Sequence, residues 1–259
     1  MRMTISHLRT LIRKELLREG EQRSAGNLAA FKVSDNVSQE VTDCIVFYDP
    51  DVFLEQFTTA AKYKYRTASE TAVRAYLQLS NKPSEDPCAG AAQIKGTWGP
   101  GYGDVVYGTA FALSRNGVLM PDRSSVSIPA RKWWMKNGQQ YKMIQLDDRN
   151  HKACMSKKRK THTEDTFDDC EVYTQNSEDP LTQSVNYAYD AGAQLASYRS
   201  NMEGMFDRHE DLLNRLVQID PPEDPNEIPD VIENFREQVE MYLDAAGAGK
   251  FAKSLASSR

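Results

Sequence analysis

Cysteine is scarce in this chain, long apolar runs are missing, and neither sign of charge dominates. Each shortage removes a class of protein. Four cysteines (Cys44, Cys88, Cys154 and Cys170) in 259 residues are too few to staple a disulfide scaffold. Cys44 sits in an apolar run and reads as a small buried hydrophobe, which points to a reducing compartment. No apolar stretch approaches the roughly 20 residues of a membrane-spanning helix. A net charge of −5 with 27% charged residues describes an ordinary solvated surface and excludes a global nucleic-acid binder. No internal repeat is present. The length admits one large domain, alone or with appendages.

The first nineteen residues pattern as an amphipathic helix. Ile5, Leu8, Leu11, Ile12 and Leu16 fall at helical spacing among Arg2, Arg9, Arg13, Lys14 and Arg18, and Gly20 ends the run. The arginines interrupt any apolar core, which argues against a secretory signal, and Glu15 and Glu19 argue against a transit peptide. Two readings stay open: a helix docked on the body, or a detachable leader 1–19. Leu17-Arg-Glu19 resembles the sites cut by prohead proteases of some large phages, which implies an address to a capsid.

Residues 20–40 are polar and read as a linker, with a core expected over 41–147. Cys44-Ile-Val-Phe-Tyr reads as a buried strand, and Asp49-Pro-Asp as a turn into a helix carrying Phe53, Phe57, Ala61 and Tyr65. A second helix is expected over 72–79. Beyond a proline-rich loop come a strand over 91–98, the turn Gly99-Pro-Gly-Tyr-Gly103, and a helix to Asn116-Gly117. A short strand at Val118, a helix capped by Ser127, and a strand from Tyr141 follow. This alternation defines an α/β (α+β) class, a mixed sheet flanked by helices. Residues 148–180 form a polar excursion, and 181–259 read as a helical C-terminal extension. The stripe through Met202, Met205 and Leu212 there reads as core.

A strand leading through glycines into a helix is a phosphate-binding arrangement. Glycines let the backbone approach a pyrophosphate, and the free N–H groups of the turn and helix start donate to it. The same turn also serves wherever a tight bend needs glycine, and Asp104 at the helix start would repel a phosphate if it pointed inward. The lysine and hydroxyl residue of a P-loop are absent. So is the acidic residue that a dinucleotide fold places after its second strand.

Trp98-Gly-Pro-Gly101-Tyr-Gly103 and Ser127-Ile-Pro-Ala130-Arg-Lys-Trp-Trp134-Met-Lys-Asn-Gly138 resemble, in register, two motifs of the GNAT (N-acetyltransferase-type) family. The likeness covers about a quarter of the chain. It implies a GNAT-like sheet that binds acetyl-CoA or another acyl-CoA in a splayed strand pair, with Trp98, Gly99, Gly101, Tyr102 and Gly103 as cofactor residues. Pro87-Cys88 with Gly90-Ala91, the Gly101–Gly103 turn, Leu119-Met-Pro-Asp-Arg-Ser-Ser-Val-Ser127, Gln145-Leu-Asp-Asp and Asp168-Asp-Cys170 are similar to a set of acetyltransferase-like tailed-phage and metagenomic proteins. That similarity implies a viral origin, a virion or host-cytoplasm location, and protein partners in a phage particle. It leaves two roles open, an acyltransferase or a catalytically inactive virion protein.

An acyltransferase of this family needs a base for the amine and often a tyrosine acid. The tyrosine position carries Trp134, whose indole has no usable acidity. Tyr141, Tyr107 and Tyr102 are the available substitutes, with Tyr141 preferred. Asp122 is the candidate base, and an ion pair with Arg123 explains it equally well. His151, Cys154, His162 and Cys170 lack the spacing of a zinc knuckle, so no metal is expected. Cys88 reads as a turn residue, and Lys157-Lys-Arg-Lys160 as a solvated loop.

Overall fold

The computed structural model describes residues 25–33, 43–58, 72–81, 91–121, 126–145, 180–185 and 187–219. The leader 1–19, Asp122, the four residues considered for zinc, Cys88 and the Lys157–Lys160 run lie outside them. Among the described residues, seven strands form one mixed sheet in the order β1-β2-β3-β4-β5-β7-β6. They are β1 Ala29–Val33, β2 Asp43–Tyr48, β3 Val73–Ser80, β4 Ala92–Trp98, β5 Val118–Met120, β6 Lys142–Gln145 and β7 Tyr187–Asp190. Only β4 and β5 run parallel; every other neighbouring pair is antiparallel. The helices are α1 Pro50–Thr58, α2 Gly103–Leu113, α3 Ile128–Asn137, the short α4 Pro180–Gln183 and α5 Leu195–Ile219. The class is mixed α/β, as the alternation implied.

Three strands stand where other structure was expected. β1 lies inside the stretch read as a linker and pairs with β2 along its whole length. The segment read as a second helix is β3. Its Ala75, Leu77 and Leu79 are fully buried while Arg74, Tyr76 and Gln78 between them are half-buried. That is a period of two, the mark of a strand with unlike faces. β7 falls in the extension read as helical, and its four residues insert between β5 and β6.

Alternation along the strands builds an apolar layer on each face of the sheet. Ile45, Phe47, Ala75, Leu77 and Leu119 pack with Val106, Phe111 and Trp134 of α2 and α3. Cys44, Val46, Tyr48 and Val73 pack on the other face with Phe53 of α1. Helix α5 serves both layers: Met205 joins the first, and Leu212 and Leu216 the second. It crosses at β1, where Arg208 Nε donates to the Leu28 carbonyl at 2.6 Å and His209 stacks on Phe31. An outer strand with open backbone groups invites unwanted pairing, and α5 lies against this one. Among the described residues, no helix is long and apolar enough to cross a membrane.

Candidate functional site

The parallel pairing is short. β4 and β5 share only the pairs Ala92–Leu119 and Gln93–Met120. β4 then continues from Ile94 to Trp98 with no partner on that side among the described residues. The strands therefore pair at the Ala92 and Leu119 end, and β5 ends at Met120, level with Gln93. Beyond that pairing β4 carries a bulge: Leu79 faces Ile94 while Gln78 faces Gly96, leaving Lys95 as an extra residue. A bulge reverses the alternation beyond it. Thr97 consequently faces the α2 side opposite Leu77, and Trp98 turns to the other layer, where its ring stacks on Tyr76 at 6.4 Å.

The chain leaves β4 through a turn that requires glycine. Gly99 has φ +153° and Gly101 has φ +80°, conformations that side chains strain. A Cβ on Gly99 would also lie 2.5 Å from the Ala75 Cβ. The Tyr102 N–H donates to the Gly99 carbonyl at 3.0 Å, and α2 begins at Gly103 with no side-chain cap. The first N–H groups of α2 thus keep their donor capacity and the positive end of the helix dipole.

A cleft of about 610 Å³ lies along this turn. Thr97 and the glycines form one part of its lining, Asp104 and Tyr107 of α2 a second, and α3 from Ser127 to Asn137 a third. Ser127 caps α3 by accepting from the Ala130 N–H. Trp133 locks α3 to α2: its indole N–H donates to Asp104 Oδ1 at 2.7 Å and its ring stacks on Tyr107 at 3.9 Å. Asp104 lines the cleft and accepts from this neutral indole, so the charge that would oppose a phosphate is present at the start of α2. Burial pushes the Tyr107 phenol up to about 12, against a hydrogen bond from the Thr97 hydroxyl that lowers it.

The expected site residues divide. Gly99, Gly101 and Gly103 line the cleft, as does the end of β4 at Trp98, although the Trp98 ring belongs to the opposite face. Tyr102 is buried in the core and is not part of the lining. Tyr141 is also outside it. Tyr141 donates to the Tyr198 hydroxyl at 2.8 Å, and Tyr198 donates to Gln194 Oε1 at 2.6 Å. Burial, then that bond, pushes the Tyr141 phenol far above its ordinary value. Of the three tyrosines considered, geometry brings Tyr107 to the cleft. Trp134 is 1% exposed and stacks on Tyr189 at 4.5 Å, a core position. Sequence reasoning missed Lys132, Trp133 and Lys136, which line the α3 wall. Their spacing on one helix edge was the available signal. Among the described residues no group of three or more histidine, cysteine, aspartate or glutamate side chains is placed to hold a metal ion. Compared with models of protein families, with curated proteins and with solved structures, the chain matches none.

Proposed function

We propose that this chain is a GNAT-like acyl-CoA-binding protein of phage type, with acetyl-CoA as the representative ligand. The observation that carries the reading is a glycine turn that follows β4, lines the cleft and feeds a helix with no side-chain cap. The turn and the start of α2 supply N–H donors for a diphosphate. The edge of β4 from Ile94 to Trp98, which has no partner on that side among the described residues, offers backbone groups to the amides of an extended arm.

The same cleft also favours the second role, a virion protein that binds without transferring. Among the described residues lining it, Asp104 is the one carboxylate, it already accepts from Trp133, and no histidine joins it. Tyr107 is poorly suited as an acid. A phenol at about 12 gives up its proton uphill to a thiolate whose ordinary value is about 8.5, so it donates a hydrogen bond and keeps the proton. Asp122 remains the candidate base.

Calorimetry with CoA and acetyl-CoA tests the first reading. One molecule should bind per chain, and no binding up to about 1 mM, equivalent to roughly 4 kcal/mol, overturns it. Thiol release from bound acetyl-CoA in the presence of amines separates the roles. Release above the buffer rate supports a transferase, and its absence supports the inactive protein.

A further inference from the structure

The α3 wall carries charge that the glycine turn does not use. Lys132 and Lys136 are exposed, line the cleft, and stand one helical turn apart on the same edge of α3. Neither has an acidic partner among the described residues. Trp133, held by Asp104 and Tyr107, fixes the rotation of α3 and so keeps that edge towards the cleft. Asn137 lies beside them in the lining. The lining of α3 from Ser127 to Asn137 runs about 15 Å at 1.5 Å per residue, so the cleft is long enough to hold two separated anionic groups.

We infer that Lys132 and Lys136 form a second phosphate subsite, and that the ligand is a nucleotide carrying a ribose phosphate in addition to its diphosphate. The inference rests on the acyl-CoA reading of the same cleft and narrows it. A diphosphate at the glycine turn is bound by backbone N–H groups and accepts any nucleotide diphosphate of suitable shape. Two ammonium groups a turn apart reward a further dianion, and charge-assisted contacts of this kind are the stronger ones. The lysine pair therefore sets selectivity while the turn supplies the common anchor.

CoA and dephospho-CoA differ in that one phosphate and are the probes. The wild-type protein should bind CoA about tenfold more tightly, a difference of about 1.4 kcal/mol, and the preference should shrink with added salt. The double variant Lys132→Gln/Lys136→Gln changes exposed side chains and should melt as the wild type does. It should bind the two nucleotides equally, with dephospho-CoA affinity within about twofold of wild type. Lys136→Gln alone should fall between. Wild-type affinities within about twofold of each other, or a double variant that weakens both nucleotides alike, overturn the subsite and leave the acyl-CoA reading standing. Failure of the wild type to bind either nucleotide overturns both.

Discussion

His209 makes the docking of α5 sensitive to acid. Its ring lies between Phe31, stacked at 5.2 Å, and Tyr48, whose hydroxyl meets Nδ1 at 2.8 Å. Tyr48 is fully buried, and burial followed by the nearby Glu210 charge pushes its phenol well above the ordinary range, so Tyr48 is the donor. Nδ1 must then accept, which requires a neutral ring. Burial lowers His209 from 6.5 to about 4, while the unfolded chain takes up its proton near 6.5. The unfolded state therefore binds more protons between those values. The stabilisation is complete above 6.5 and is lost as pH falls towards 4. Each pH unit in that window is worth about 1.4 kcal/mol, so moving from pH 7 to pH 5 should cost about 2 kcal/mol from this group. Urea unfolding at the two pH values, for wild type and His209→Asn, isolates it from the carboxylates common to both. The wild type should lose about 2 kcal/mol more than the variant over that interval. Equal losses would show that the ring is not held neutral by the fold.

Trp134→Ala should destabilise by about 3–5 kcal/mol as a large core truncation, read as a fall in melting temperature. A wild-type melting temperature would contradict its core placement. Gly101→Ala forces a Cβ onto a residue at φ +80°, which should cost about 1–2 kcal/mol and weaken CoA binding. Unchanged stability and affinity together would remove the turn from the site. Thr97→Val and Tyr107→Phe should each be tolerated, because Phe keeps the stack on Trp133. A double-mutant cycle should give a coupling of about 1 kcal/mol, and zero coupling would deny the hydroxyl pair.

The parts of the fold that could be read from the sequence are those whose local signal matches their final environment. β2 was visible because a continuous apolar run suits a strand buried on both faces, and all six of its residues are buried. The segments from β4 to β6 were visible through the glycine turn and the Ser127 cap, both local constraints. β3 was misread because Ala, Leu and Gln favour helices, and its burial alternation competes with that propensity. β1 and β7 are short, and alanines fill much of their interior faces. They are strands because neighbours distant in sequence supply the hydrogen bonds. The cleft divides in the same way. A turn that needs glycine announces itself locally, whereas Tyr107, Thr97 and the α3 lysines meet only when the helices pack.

Trp98 shows how one residue alters the chemistry of the cleft. Without Lys95 as an extra residue, strict alternation would set Trp98 on the same face as Ala92 and Ile94, towards α2. An indole there would occupy the space beside Tyr107, and Thr97 would face Tyr76 with no use for its hydroxyl. The bulge exchanges them. It sends the large ring to the layer where it stacks on Tyr76, half-buried, and brings a small hydroxyl residue to the side where Tyr107 lies. Gly99 extends the effect, since its missing side chain lets the turn sit against Ala75. The open volume of the cleft thus follows from two backbone features on consecutive stretches of chain, a bulge and a glycine turn. Neither depends on a catalytic side chain. A fold can keep both after losing its base and its acid, which is why ligand binding and acyl transfer have to be measured separately in this protein.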